Sequence, residues 1–375
     1  GGHSAGPGLV AGAIMGTLIG GSSTIGTAQL AYSYGFSAWW FTLGGGIGCI
    51  VLAVLFSKPL YQSEVRTLPQ LFRREYGHGC GTAATVLTSI GSFLSIVAQL
   101  LSGVTLVMSV SSLGSLPTTA VIVALMIVYV VFGGMLSAGM VGIAKMALLF
   151  LSVGTCGILA YIQGGGLAGF RAVLPAGQYF SLFARGAAVD AGAGLSLVLG
   201  ILTTQTYIQA ILSARTLRVS RQGAVLSAVL MPLIGLAGIF VGLFMRVNYP
   251  DIPSATALPR FLMEYLPPVA GGMTLATLLV ALVGTGAGVA LGLGTMISHD
   301  IYKVYFRRDA DGKAMLRVTR LSILLILLAT ALFTFGNLGS LILNWSFLSM
   351  GLRGSVAFWP LCFALFCPGR VPPRY

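Results

Sequence analysis

Gly20-Gly21-Ser22-Ser23-Thr24 sits halfway along the first long apolar stretch of the chain, residues 9–32. A plain membrane helix would not choose these residues, because paired glycines loosen the backbone and the three hydroxyls offer it other partners. The run therefore predicts a helix that comes apart in mid-span. Backbone that leaves the helical ladder at membrane depth has no water to bond with, so it survives only when buried in protein or facing a cavity that something enters. A cavity at the midplane suggests a transported solute.

The membrane itself follows from composition. Of 375 residues, 56% are hydrophobic and 8% charged, and the mean hydropathy of +0.94 lies far outside the soluble range. A spanning helix needs ~20 apolar residues. About ten stretches of that kind are legible, near residues 9–32, 39–56, 83–110, 118–132, 140–162, 191–212, 224–245, 269–297, 321–335 and 341–366. The expected fold class is an all-α membrane protein of ten transmembrane helices, forming one transporter domain over residues 1–375.

Basic residues assign the sides, since positively charged loops stay in the cytoplasm. With Gly1 inside, the cytoplasmic segments hold Lys58 to Arg74, Arg215 to Arg221, Lys303 to Arg320, and Arg370 with Arg374. The opposite loops hold only Arg171, Arg185, Arg246 and Arg260. Both ends of this segment are thus expected in the cytoplasm of a prokaryotic cell membrane, and topology accounts for the net charge of +13. Charges spread over four loops give no reason to invoke nucleic acid. The partners expected are lipid and a small-molecule solute; the oligomeric state is left open.

Five cysteines without C-x-x-C spacing read as apolar packing residues. His3, His78 and His299 lack metal-ligand spacing. No phosphate-binding glycine loop is present, and the spans contain no acid, base, nucleophile and metal cluster of an intramembrane enzyme. The chain opens on Gly without a cleavable signal pattern, which leaves room for flanking spans.

A second interrupted stretch, residues 191–212, is broken by Gly200 and by Thr203-Thr204-Gln205-Thr206. Laid against the first, it divides the chain into two halves of five spans, about 8–165 and 188–367, as an inverted repeat would. Interrupted spans in matching positions point to a transporter's binding site. The bland alternative is that small residues simply let helices pack closely. Residues 251–266 read as a loop with a short amphipathic helix near Pro259, either an outer lid or a helix resting on headgroups.

All eight acids fall in loops or at span ends, yet two cations lie within spans. Each would cost roughly 2.5–3.5 kcal/mol at the centre of an isolated helix. Lys145 is ~8 Å into its span at 1.5 Å per residue and could snorkel back to the surface. Arg353 is too deep for that. It must cap carbonyls of a neighbouring broken helix or take part in binding or gating.

Together these segments resemble the sodium/solute symporter family over nearly the whole chain. The resemblance rests on GTLIGGSSTIG at 16–26, AYSYGFSAWW at 31–40, RTLPQLFRREYG at 66–77, Gly133-Gly134, QTYIQ at 205–209 and LPP at 266–268 closing in DIYK at 300–303. It implies ten core helices in two inverted five-helix repeats, discontinuous first and sixth spans, and alternating access. The extra terminal helices that members often carry are not matched. Sodium in such proteins lies between the first break and the eighth span. By position its carbonyls would come from Gly20, Ser23 and Ala281, and its hydroxyl pair would fall on Gly284 and Thr285, where one hydroxyl survives. Where many members place an Asp and a Gln in the fifth span, this chain has Gly142 and Lys145.

An ammonium at the vacated position could supply the charge that sodium brings, so the coupling ion is expected to be Na+ or a proton carried by Lys145, with no other cofactor. The family places solute ligands in the two breaks, here Ser22, Ser23, Thr24, Thr204 and Gln205. With Arg353 nearby and no buried acid, a solute bearing a carboxylate is favoured. The sequence thus reads as a secondary active symporter of a small polar or anionic solute, the rival being a solute-sensing module of a signalling protein.

Overall fold

The computed structural model describes residues 5–63, 67–133, 138–307, 309 and 311–370. Of the residues singled out from the sequence, His3, Glu64, Arg66, Gly134, Arg308 and Arg374 lie outside the described residues. The described chain is helical without strands, its one β contact an isolated bridge between Ala5 and Ala214. In order the α-helices are α1 (Pro7–Leu18), α2 (Thr27–Tyr34), α3 (Trp40–Val51), α4 (Ser57–Gln62), α5 (Leu68–Tyr76), α6 (His78–Val110), α7 (Ser115–Gly133), α8 (Ala138–Gln163) and α9 (Gly166–Val173). There follow α10 (Ala176–Tyr179), α11 (Ala187–Thr203), α12 (Gln205–Ser213), α13 (Leu217–Asn248), α14 (Ala257–Tyr265), α15 (Pro268–Met296), α16 (Gly312–Phe335) and α17 (Ile342–Phe366). Wider π turns occupy Ser22–Gly26, Leu52–Phe56 and Ile297–Phe306.

Seven helical runs among the described residues are long and apolar enough to cross a membrane, or eight if the bent pair α11 and α12 is one span. The ten stretches read from sequence differ from this count for geometric reasons. Pro7–Leu18 and Ser115–Val131 are short, and Ser22–Gln62 is one continuous helical run of 41 residues. The loop quoted as RTLPQLFRREYG folds as α5. Thr67 Oγ1 accepts the Gln70 N–H at 3.3 Å, Pro69 sits in the first turn, and Arg73 with Arg74 lies over the last carbonyls before Gly77 turns the chain with φ +90°.

Packing centres on α6, which lies against α17, α15 and α5, and on α13, which lies against α1, α2, α3 and α8. Large apolar side chains on the rim, such as Leu151, Ile158 and Leu332, remain exposed, as a surface solvated by acyl chains requires. The amphipathic segment near Pro259 is α14. Phe261 is fully buried and meets Phe244 edge-on at 5.6 Å, so this helix packs on protein, and the headgroup alternative does not describe it.

Candidate functional site

The first helix comes apart. α1 ends at Leu18, Ile19 is extended (φ −87°, ψ 104°), and helix resumes at Gly21 through the π turn into α2. The interruption therefore lies at Ile19 and Gly20, the leading edge of the quoted stretch. Its hydroxyls explain why. Gly20 N–H donates to Ser23 Oγ at 2.9 Å, while Gly20 O accepts from Ser23 Oγ at 3.0 Å and Thr24 Oγ1 at 2.9 Å. Backbone groups freed by the break are thus satisfied locally, as a buried break demands.

One partner comes from far along the chain. Gln99, buried in α6, accepts the Gly21 N–H on Oε1 at 2.8 Å and donates from Nε2 to Ser22 Oγ at 3.0 Å. A Cβ on Gly20 would stand 2.6 Å from Gln99 Oε1 and 2.8 Å from Thr285 Oγ1, so only glycine fits between α6 and α15. Sequence reasoning missed Gln99. The available signal was an amide in mid-helix, overlooked because the search for polar groups in spans weighed charges.

Lys145 does not snorkel. On α8 it is 7% exposed, and Nζ donates to Gly16 O on α1 at 2.7 Å and to Thr285 Oγ1 on α15 at 2.5 Å. Thr285 Oγ1 in turn donates to Ala281 O at 2.9 Å. The ammonium thus ties the end of α1 to α15. The carbonyls of Gly20 and Ser23 are turned elsewhere: Ser23 O accepts from Thr27 Oγ1 at 2.9 Å, and the α1 carbonyl at the ammonium is that of Gly16. Gly284 contributes no hydroxyl and faces the Tyr129 ring. At Gly142 any Cβ would run into the Gly12 carbonyl, so this packing of α8 on α1 has no room for an aspartate there.

The second break is sharper. Thr204 is extended (φ −86°, ψ 124°), and α11 and α12 meet at 51° across it. Thr204 Oγ1 donates back to Gly200 O at 2.6 Å. Gln205 Oε1 accepts the Leu68 N–H at 2.9 Å, which holds the start of α5 against the break.

Arg353 is 4% exposed on α17. Nε donates to Ser349 O at 3.2 Å and Nη2 to Ser349 Oγ at 2.7 Å, both on its own helix. Ser349 Oγ donates across to Gly91 O on α6. Among the described residues no carboxylate pairs with Arg353, and it caps neither broken helix.

A cavity of about 1100 Å³ brings these groups together: Ser22 and Gln99 at the first break, Thr204 and Gln205 at the second, with Arg353, and Lys145 beside Gly284 and Thr285. Gly20, Ser23, Thr24 and Ala281 stand behind its wall. The cavity runs to the end of the molecule that carries the basic loops, where Asp300, the acid in its lining, is 3.2 Å from Arg73 Nη2. Toward the opposite end Gln29 clamps the start of α17, donating to Ser340 O at 3.3 Å and accepting from Ile342 N at 2.9 Å. Beside it the wholly buried Asp190 accepts from Ser37 Oγ at 2.6 Å and Arg185 Nε at 2.7 Å, and Arg185 stacks over Phe347 at 5.4 Å. The sequence reading had left Arg185 and Asp190 as loop charges.

Known proteins are similar to this chain in sequence and in fold. "Sodium/myo-inositol cotransporter 2" of Oryctolagus cuniculus is 23% identical over 359 residues, covering 84% of this chain and 53% of that protein. The "Osmoregulated proline transporter OpuE" of Bacillus subtilis (strain 168) is 25% identical over 353 residues, covering 87% and 69%. The chain thus spans about half the length of the cotransporter. A solved structure of a Na+-coupled sialic acid symporter, substrate-bound and outward-open, superposes with a TM-score of 0.78 at 13% identity, covering 97% of this chain and 80% of that one, which is a likeness of fold. These relatives are transporters rather than enzymes. The family model for the sodium:solute symporter family matches residues 1–371, and the chain belongs to that family.

Proposed function

We propose that the chain is the core of a secondary active transporter that carries a small polar or anionic organic solute by alternating access. The observation that carries this reading is the chamber between two broken helices, with the buried Arg353 guanidinium that, among the described residues, pairs with no carboxylate. Ten spans in two inverted repeats are part of the reading, about residues 8–165 and 188–367. Each half opens on a broken helix, at Ile19 and Gly20 and at Thr204, which supports the correspondence. With the basic loops in the cytoplasm, the chamber faces inward, and Gln29 with the Arg185–Asp190 cluster closes the outer side.

For coupling, family membership supports sodium. The geometry of this chain favours a second form of the idea. Lys145 Nζ already bonds Gly16 O and Thr285 Oγ1, and a sodium ion beside an ammonium would meet a like charge within contact distance. Lys145 then takes the ion's place, and its loading and release of a proton drives the change between states. Uptake into reconstituted vesicles tests this. Uptake that follows a proton gradient, ignores sodium and is lost in Lys145→Gln is expected; sodium-dependent uptake retained by Lys145→Gln removes the role of Lys145 and leaves the carrier reading in place.

A further inference from the structure

We propose that Gln99 biases the hydrogen-bonding polarity of the chamber: by filling one lone pair of Ser22 it leaves the hydroxyl its proton to give a solute, favouring guests that present an acceptor such as a carboxylate. The inference rests on the carrier reading and names which chemical face of the solute the first break receives.

An amide side chain has an acceptor end and a donor end, and which is which follows from its partners. Gly21 N–H can only donate, so the atom 2.8 Å from it must be Oε1. The reversed amide would set two donors against each other and leave a buried N–H without a partner. Nε2 is thereby committed to Ser22 Oγ at 3.0 Å. A hydroxyl has one proton and two lone pairs. Having accepted from Nε2, Ser22 still has its proton to give.

Its neighbours have spent theirs. Ser23 and Thr24 donate to Gly20 O, and Thr27 donates to Ser23 O. Among the described residues Ser22 Oγ donates to none, and Ser22 lines the cavity. Across the second break Thr204 is likewise turned back, to Gly200 O. Of the hydroxyls at positions 22, 23, 24 and 204, Ser22 alone offers its proton to the chamber. Arg353 also can only donate. Two donor groups lining one cavity suit a carboxylate. An ammonium would find only the one remaining lone pair of Ser22 and none on Arg353, whose like charge opposes it.

The probes are straight-chain carboxylates of two to six carbons, with the amides and amines of the same lengths, measured by thermal stabilisation of the purified chain in detergent. The unsubstituted protein should bind an acid in preference to the matching amine. Ser22→Ala preserves every charge and the Gln99 bond to Gly21, and should weaken the acid by roughly tenfold to a hundredfold, the value of one hydrogen bond to a charged group. Gln99→Glu accepts from both Gly21 and Ser22, draws the hydroxyl proton out of the chamber, and should reverse the order of acid and amine. If Gln99→Glu does not fold, Ser22→Ala decides. Unchanged acid affinity in Ser22→Ala, or an unchanged acid preference in Gln99→Glu, overturns the role of Gln99 while the carrier stands. Failure of the unsubstituted chain to prefer any acid over its amine overturns this proposal and the anionic-solute reading together.

Discussion

Lys145 and Arg353 are both buried cations in the membrane region without a carboxylate partner among the described residues, and they solve the same problem in opposite ways. Lys145 reaches across to two other helices and gives two of its three N–H groups to Gly16 O and Thr285 Oγ1. Arg353 turns back on its own helix and binds only Ser349 in hydrogen bonds to oxygen. An ammonium with two of its three N–H groups bonded to neighbouring helices is a crosslink. A guanidinium with five N–H donors, held by its own helix on one edge, keeps capacity for a guest. The difference teaches that burial and charge alone do not identify a receptor; what matters is which donors the protein has already used.

Arg353→Leu attacks the contrast where the effect should be largest. Removing one partner of a buried charge pair is worth about 3–5 kcal/mol, so carboxylate binding should fall by about a hundredfold or more. Titration calorimetry with the best acid probe measures it, and affinity within threefold of the parent would move Arg353 out of the receptor role. Lys145→Met should do the reverse. It takes from Gly16 O its short bond, leaving only the long one from Thr285 Oγ1 at 3.4 Å, and should cost about 1–3 kcal/mol of stability, read from thermal denaturation, with acid affinity little changed. A variant that melts like the parent but loses acid binding would exchange the two roles. Gly20→Ala probes the boundary between them, because its methyl would press on Gln99 Oε1 and Thr285 Oγ1 at once. Overpacking of this kind typically costs about 1–3 kcal/mol, and the smaller expected effect is a shared loss of stability and acid affinity. Wild-type melting in this variant would mean the break relaxes freely.

Much of this was legible beforehand because membrane depth leaves backbone few options. A Gly-Gly pair beside three hydroxyls announces a break, since those hydroxyls are what the freed peptide groups need. Thr203 to Thr206 announces the second in the same way. The break itself moved to Ile19 and Gly20 because Ser23 and Thr24 reach back to Gly20, which local sequence permits without dictating. Gln99 offered only an amide in mid-helix as a signal, and its partner was not legible. Nothing within 78 residues of chain ties it to Gly21, and only the packing of α6 on the break does so. Arg185 does sit in a loop and Asp190 at a helix start, but their buried pairing and the stacking of Arg185 on Phe347 were not legible for a related reason: Phe347 belongs to α17, more than a hundred residues away.

By itself the sequence determined the solvent and the elements: apolar length places the helices in lipid, and weak helical positions mark where two of them open. Only the tertiary structure decided which polar atoms are free. That outcome depends on hydrogen-bond partners brought together from distant segments, and a hydroxyl's proton or an amide's orientation is assigned by its neighbour in space rather than its neighbour in the chain.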